Sequence, residues 1–404
     1  MFAAESLRGP ARWLRAKRES LQNSTASRVL VVSNVASFGG GGVIGFRDVL
    51  LAIRAKRPDL DVVAVCPQRG DVVDDCARRG IRTKVAWTPW WAFGKWRRAP
   101  GLDVLVGALP YTLILIPGIF GAIRFLIRER PMLVLSNTMT IPSHAIAAKL
   151  LGIPHYWMVC EFGREDHQLW FLVGYRRTIR LINRLSDMVI CNSEAVEKAM
   201  LAIAPTMTTS VIYPVVETPC ATPRQRTLGE PMRAVLAGYF SHAKGQQLAV
   251  EAIAVAREAG VDIALTLVGS GSQTPLRMLA RRLGVEDLVS IHGPAPDLGE
   301  YWSAGHVGLM CSQSEAFGRV TVEAMGAGLP VCGTSSGGTP EIISAGVNGM
   351  LSPAGDAHAL AANLMALEAD ESLRSRLAAG AVETSQRFRR DRHDDELAAI
   401  LGLS

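Results

Sequence analysis

Short, continuously apolar runs alternate with amphipathic stretches over the first half of the chain. RVLVVS (28–33), DVVAVC (61–66), TKVAW (83–87), MLVLSN (132–137), HYWMVCE (155–161) and MVICNS (188–193) have strand length and many β-branched residues. Helical spacing fills 43–55 and 72–79, and SHAIAAKLLG suits a helix capped by Ser143 and ended by Gly152. Strands apolar on both faces belong to a parallel sheet covered by helices on each side.

Over 213–231 the pattern breaks into YPVVETPCATPRQRTLGEP, with four prolines and no periodicity, which predicts a linker. A second alternation follows: RAVLAGYF, a helix over 245–259, DIALTLVG, a helix over 275–283, LVSIHG, a short turn over 300–304, VGLMCS, and helix from about residue 353. The expected architecture is α/β, with two Rossmann-like domains facing each other across a cleft and ligands at the carboxyl ends of the strands. The expected boundaries are a basic amphipathic segment (1–27), an acceptor domain (28–215), a donor domain (216–385) and a terminal helix (386–404) packing back toward the first domain.

Length and composition agree with this division. A chain of 404 residues exceeds one ordinary core, and 49% hydrophobic with 20% charged residues describes a globular protein. Seven cysteines with no CxxC pair read as free thiols of a reducing compartment, so neither zinc nor a disulfide framework is expected. The first residues lack the apolar core and cleavage site of a secretory signal. Charge is uneven: residues 1–220 hold 28 Lys and Arg against 17 Asp and Glu, and 221–404 hold 15 against 20. A basic first half attracts phosphates or anionic lipid, and the absence of RNA-recognition and zinc-finger patterns argues against nucleic acid.

Candidate chemistry concentrates in SEAFGRVTVEAMGAGLPVCGTSSGGTPEII (314–343). A helix is expected over 318–327, closed by Gly328, with Glu315 in the loop before it and Glu323 inside it. Its N-terminus suits a diphosphate, and an acceptor-only carboxylate such as Glu323 suits a vicinal diol. Gly337-Gly338 offers bare backbone for close approach to a ligand.

This stretch closely resembles the donor site of the family-four retaining glycosyltransferases, which have the GT-B fold. The resemblance continues through GYFSHAKGQQLAVEAIAVA and LVGSGS, the N-terminal glycine loop SFGGGGVIGF and GIPHYWMVCEFGREDH, and spans about residues 28–390. It implies that Glu323 binds the ribose of a nucleotide sugar and that Glu315 contacts the sugar hydroxyls. Ala316, Phe317 and Gly318 would offer backbone, with Gly238 and Gly338 beside them. Lys244 would neutralise the diphosphate, Gly41 and Gly42 would approach it from the other domain, and His292, Gly293 and Pro294 would pack the base. Glu161, at the end of a strand where the family places groups near the reacting sugar, joins Glu315 and Lys244 as a catalytic candidate, and Arg164 and His167 belong to an acceptor loop. The implied reaction is front-side displacement with retention, without cofactor or metal. One departure matters: Gly238-Tyr239-Phe240 stands where the family has Gly-Arg-Leu, so the diphosphate rests more heavily on Lys244.

Other residues carry blander readings. Asp59-Leu60-Asp61 spells a metal-binding DxD but falls at a strand entry, which makes it capping and surface charge; His144 reads as packing, and His393-Asp394-Asp395 as a solvated helix face. WTPWWAFGKWRR (87–98), containing Trp90, Trp91 and Trp96, fits a membrane head-group layer or an acceptor wall. The uncharged run 104–123 and the basic N-terminus add to an expected peripheral attachment at the cytoplasmic face of an anionic membrane. The partners implied are a nucleotide sugar and a glycan or lipid-linked acceptor such as a cell-envelope polysaccharide precursor. An epimerase of the same fold, or a nucleotide-sugar-binding module without turnover, fits the same residues.

Overall fold

A computed structural model describes residues 27–94, 102–217 and 230–403. The chain divides into two units, Met1–Val215 with Arg390–Ser404, and Val216–Arg389.

Among the described residues, the first unit is built on a seven-stranded sheet in the order β3-β2-β1-β5-β6-β8-β9. Its strands are β1 (Arg28–Val32), β2 (Asp61–Cys66), β3 (Arg82–Val85), β5 (Leu133–Asn137), β6 (His155–Val159), β8 (Met188–Cys191) and β9 (Thr209–Val211). All its pairings are parallel. Both faces are apolar, as continuous rather than alternating runs require. Leu30, Val32, Val63, Val65 and Val134 pack on one side against Ala122 and Leu126, while Val29, Val31, Ala64 and Leu135 face Phe46, Val49 and Leu50 on the other. The order reverses between β1 and β5. There the SFGGGG loop opens the helix Gly41–Lys56 beside the loop that leaves β5.

A short antiparallel pair, β4 (Ala92–Phe93) with β7 (Trp170–Phe171), ties the tryptophan loop to the loop after β6. The apolar run becomes one helix, Leu102–Glu129, despite Pro110 and Pro117. Gly118 lets it lie directly on Pro89, because a Cβ there would collide with that proline ring. Leu113, Ile116 and Phe120 form an outward stripe, 63%, 53% and 65% exposed, followed by exposed Ile127, Arg124 and Arg128. The helix from Tyr111 to Glu129 is long and apolar enough to cross a membrane by length and composition alone.

The second unit holds a six-stranded parallel sheet in the order β12-β11-β10-β13-β14-β15. These are β10 (Met232–Ala237), β11 (Ile263–Val268), β12 (Val289–His292), β13 (Val307–Met310), β14 (Val331–Thr334) and β15 (Gly349–Ser352). Here too the order reverses, between β10 and β13. Open α/β sheets bind ligands at such a point, outside the strand carboxyl ends.

Two local expectations change. Ser143 is the first helical residue rather than a cap, and its hydroxyl lies 3.4 Å from His144 Nδ1 instead of on a backbone N–H. His393 and Asp394 are buried, not solvated: the helix Arg390–Leu401 turns them inward, where they meet at 3.0 Å. That helix docks Leu397 and Leu401 into the first unit's core, and Arg390 donates to buried Asp48 at 2.9 Å. The 1–27 segment, apart from its last residue, and Trp96 lie outside the described residues.

Leu401 is fully buried in this core. Leu401→Ala is expected to destabilise the first unit by about 2–5 kcal/mol, through lost transfer energy and the cavity left behind. Urea unfolding monitored by tryptophan fluorescence measures it.

Candidate functional site

Three turns meet at the carboxyl ends of β10, β11, β13 and β14. Gly238 follows β10 with φ +148°, a backbone that side chains rarely adopt, and its N–H donates to Val268 at 2.9 Å. The short 3-10 turn His242–Lys244 ends at Gly245, φ +70°, which lies so close to Cys311 that a Cβ would strike its carbonyl oxygen. Gly269 is pressed the same way onto the carbonyl of Gly238. These contacts carry Lys244 to the end of β13, where its Nζ donates to Glu315 Oε2 at 2.7 Å. Ser312 Oγ donates to the same oxygen at 2.9 Å.

The Gly337-Gly338 turn sits on the other side of Glu315. Gly338 N–H donates to Glu315 O at 2.7 Å, and a Cβ on either glycine would strike the backbone of Glu315 or Ala316. The bare backbone here serves protein–protein contact, so the close approach expected of Gly338 is to the SEAF turn. Ala316 and Phe317 are buried, Phe317 edge-on against Phe388 at 5.3 Å. Gly318, φ +95°, caps the helix Arg319–Gly326. Glu323 lies one turn inside it, half-buried, and its carboxylate has no hydrogen-bond partner among the described residues. Burial holds its carboxyl above the usual value, with Arg319 pulling the other way.

Other expected residues lie around this centre. His292, Gly293 and Pro294 are exposed at the end of β12, with the His292 ring edge-on to Tyr301 at 5.3 Å. Tyr239, where the resemblance leads one to expect arginine, is 61% exposed, and its carbonyl accepts from Gln246 Nε2 at 3.0 Å. Sequence reasoning did not single out Ser312, Gly245 or Gly269. The pairing of Lys244 with Gly245 was the available signal for the second.

The first unit gathers its candidates at its own switch point. Gly41 and Gly42 open the helix Gly41–Lys56, and Asn137 Nδ2 donates to Gly42 O at 2.9 Å. Glu161 does not face outward: it is buried, and its two oxygens accept from Met139 N at 2.7 Å and from Cys160 N at 3.1 Å. Arg164 and His167 are exposed on the loop that follows. Trp91 is a correction. It is 4% exposed, stacks on Trp157 at 5.8 Å and donates its indole N–H to Met139 O at 2.7 Å, so it forms core and no external surface. Trp90 is half-buried and donates to Asn34 O at 3.1 Å; it is Trp87 that stands exposed. Asp59 pairs with Arg57 at 2.7 Å and Asp61 with Arg28 at 2.7 Å, each occupied as surface charge. His144 is buried edge-on to Phe125, and burial lowers its pKa to about 4.

Burial pushes the Glu161 carboxyl up to about 8, against the pull of its two N–H donors and with Asp166 adding to the rise. Its folded value therefore exceeds the ordinary 4.5, and the stability that its bound proton contributes is lost as pH rises toward 8. Urea midpoints should fall between about pH 7.5 and about pH 8.5, above the range in which buried His144 and His155, both lowered by burial, change charge. In Glu161→Gln the fall should shrink.

Residues 223–384 match the family model described as "Glycosyl transferases group 1". The D-inositol 3-phosphate glycosyltransferase of Xylanimonas cellulosilytica (strain DSM 15894) is 35% identical over 186 residues, 44% of this chain and 43% of that protein. The amylovoran biosynthesis glycosyltransferase AmsK of Erwinia amylovora is 31% identical over 154 residues, 36% of this chain and 38% of its own length. This chain thus spans less than half of either relative. Among solved structures, Anabaena Alr3699/HepE in complex with UDP superposes with a TM-score of 0.72 at 22% identity, covering 92% of this chain and 98% of that one. The fold is GT-B, and residues 223–384 are similar to the group 1 glycosyl transferases.

Proposed function

We propose that the protein is a retaining glycosyltransferase that moves a sugar from a nucleotide sugar to an acceptor. The observation that carries this is Glu323, whose half-buried carboxylate has no hydrogen-bond partner among the described residues, in the same helix whose first turn follows Gly318. An acceptor-only group left in this state is completed by a diol such as a ribose. The Lys244–Glu315 pair stands ready for the other end of the donor. Lys244 exchanges Glu315 for the diphosphate, and Glu315, still held by Ser312, turns to the sugar hydroxyls.

In the reaction the bond from the anomeric carbon to the diphosphate oxygen breaks. The acceptor oxygen bonds that carbon on the same face, and its proton passes to the departing diphosphate. Lys244 and the helix N-terminus at Gly318 stabilise the charge that develops there, an electrostatic role that requires no nucleophile from the protein. The relatives named for inositol phosphate and amylovoran, and the neighbour holding UDP, support a uridine-type donor and a polar polyol or glycan acceptor.

The outward stripe of Leu113, Ile116 and Phe120, followed by Arg124 and Arg128, supports a peripheral membrane position and a lipid-linked glycan or envelope-polysaccharide precursor as acceptor. An apolar face bordered by cations matches an acyl layer under anionic head groups. The setting proposed is the cytoplasmic side.

Titration calorimetry with UDP-glucose and related nucleotide sugars tests the donor site. Glu323→Ala should weaken binding about 10–100-fold, the span of hydrogen bonds to a charged group, and Lys244→Ala should weaken it as well. Unchanged affinity in both would place the donor elsewhere. Release of free nucleotide that depends on an added acceptor separates transfer from epimerisation and from binding without turnover. For the membrane, Leu113→Ser with Phe120→Ser should abolish sedimentation with anionic vesicles; a wild-type chain that stays in the supernatant at low salt ends that reading.

A further inference from the structure

Thr138, in the loop leaving β5, has φ +68°, a left-handed backbone that is strained for a β-branched residue. The main-chain N–H and C=O groups of Thr138 and Met139 are all claimed by buried partners. Thr138 N donates to Met158 O at 2.9 Å, and Thr138 O accepts the Trp157 indole N–H at 2.6 Å. Met139 N donates to Glu161, and Met139 O accepts from Trp91. Trp91 N–H also donates to Thr140 O at 3.1 Å, and the two indoles stack. Trp157 and Glu161 thus fix the peptide that follows the strained Thr138 backbone, and Trp91 fixes the next one.

What that peptide holds is the glycine loop. Asn137 donates to Gly42 O, and Thr138 Cγ2 lies 3.5 Å from where a Cβ on Gly42 would stand. Strain held by so many bonds persists where surrounding structure has a use for the geometry.

We propose that Trp91, Trp157 and Glu161 form a buried clamp that keeps the Thr138 backbone left-handed, so that Asn137, through its bond to Gly42, sets the position of the Gly41–Gly42 backbone for sugar transfer. Glu161 and Trp91 are then positioning residues, which act through the loop and touch no substrate. The inference rests on the proposed transferase reading for its catalytic consequence, and on the geometry alone for the clamp.

Trp91→Phe keeps the ring and removes the indole N–H. With the clamp weakened, Thr138 relaxes toward an ordinary backbone and carries the glycine turn with it. The expected result is a fall in kcat of about tenfold or more, with donor KM nearly unchanged, and faster amide exchange over 137–140. Adding Thr138→Gly, which removes the penalty of the left-handed backbone, should restore both kcat and slow exchange. A Trp91→Phe chain with wild-type kcat and exchange would overturn the clamp. So would loss of kcat in step with Tm and without rescue by glycine, since that is what plain core damage produces. If the wild-type chain transfers no sugar, the transferase reading fails, and the exchange measurement with its glycine rescue still decides the clamp.

Discussion

The second unit depends on main chain touching main chain where no side chain fits. Gly245 lies on the Cys311 carbonyl, Gly269 on that of Gly238, and Gly337 and Gly338 on the SEAF turn. These contacts draw three βα turns to one point, and the charged groups follow. Lys244 reaches Glu315 because Gly245 has brought its turn onto the end of β13. A methyl group at any of these positions would separate the turns, whatever became of the acids and the lysine. Most of the site's specificity therefore lies in residues that carry no chemistry.

That explains what was legible in the sequence. Continuous apolar strands and their order of appearance carried the two Rossmann-like sheets, because burial on both faces leaves a signal in every residue of a strand. The carboxylates and the lysine were legible through a family resemblance at quoted motifs. The reason for Gly338 was not: a glycine spared for a ligand and one spared for a neighbouring turn look alike until the neighbour is seen. Trp91 misled for a related cause. A dense run of tryptophans suggests a surface, yet this one's indole is spent inside on Met139, while Trp87 stays out. His393 and Asp394 look solvated by composition, and only the docking of Leu397 and Leu401 turns them inward.

The two units solve different physical problems with the same topology. At the second switch point the groups are charged and partly open, and a paired lysine and glutamate stand where a ligand can displace their bond. At the first, the ionisable group is buried. Glu161 spends both oxygens on backbone, and what faces outward is glycine. Tyr239 shifts the balance further, because the second unit lacks a cation that the resemblance leads one to expect there. In the proposed reaction the departing diphosphate is stabilised by Lys244 and a helix end alone, a smaller charge than two side-chain cations would supply.

The helix Arg390–Leu401 belongs to the unit that begins the chain, although the whole second unit intervenes. On the ribosome, the leading sheet therefore emerges complete in its strands while a patch around Phe46 still waits for Leu397 and Leu401. The trailing unit is contiguous and can close as soon as it is made, so the part synthesised first is the part finished last. Until then an apolar surface stands open to solvent, which is the situation that nascent-chain chaperones relieve.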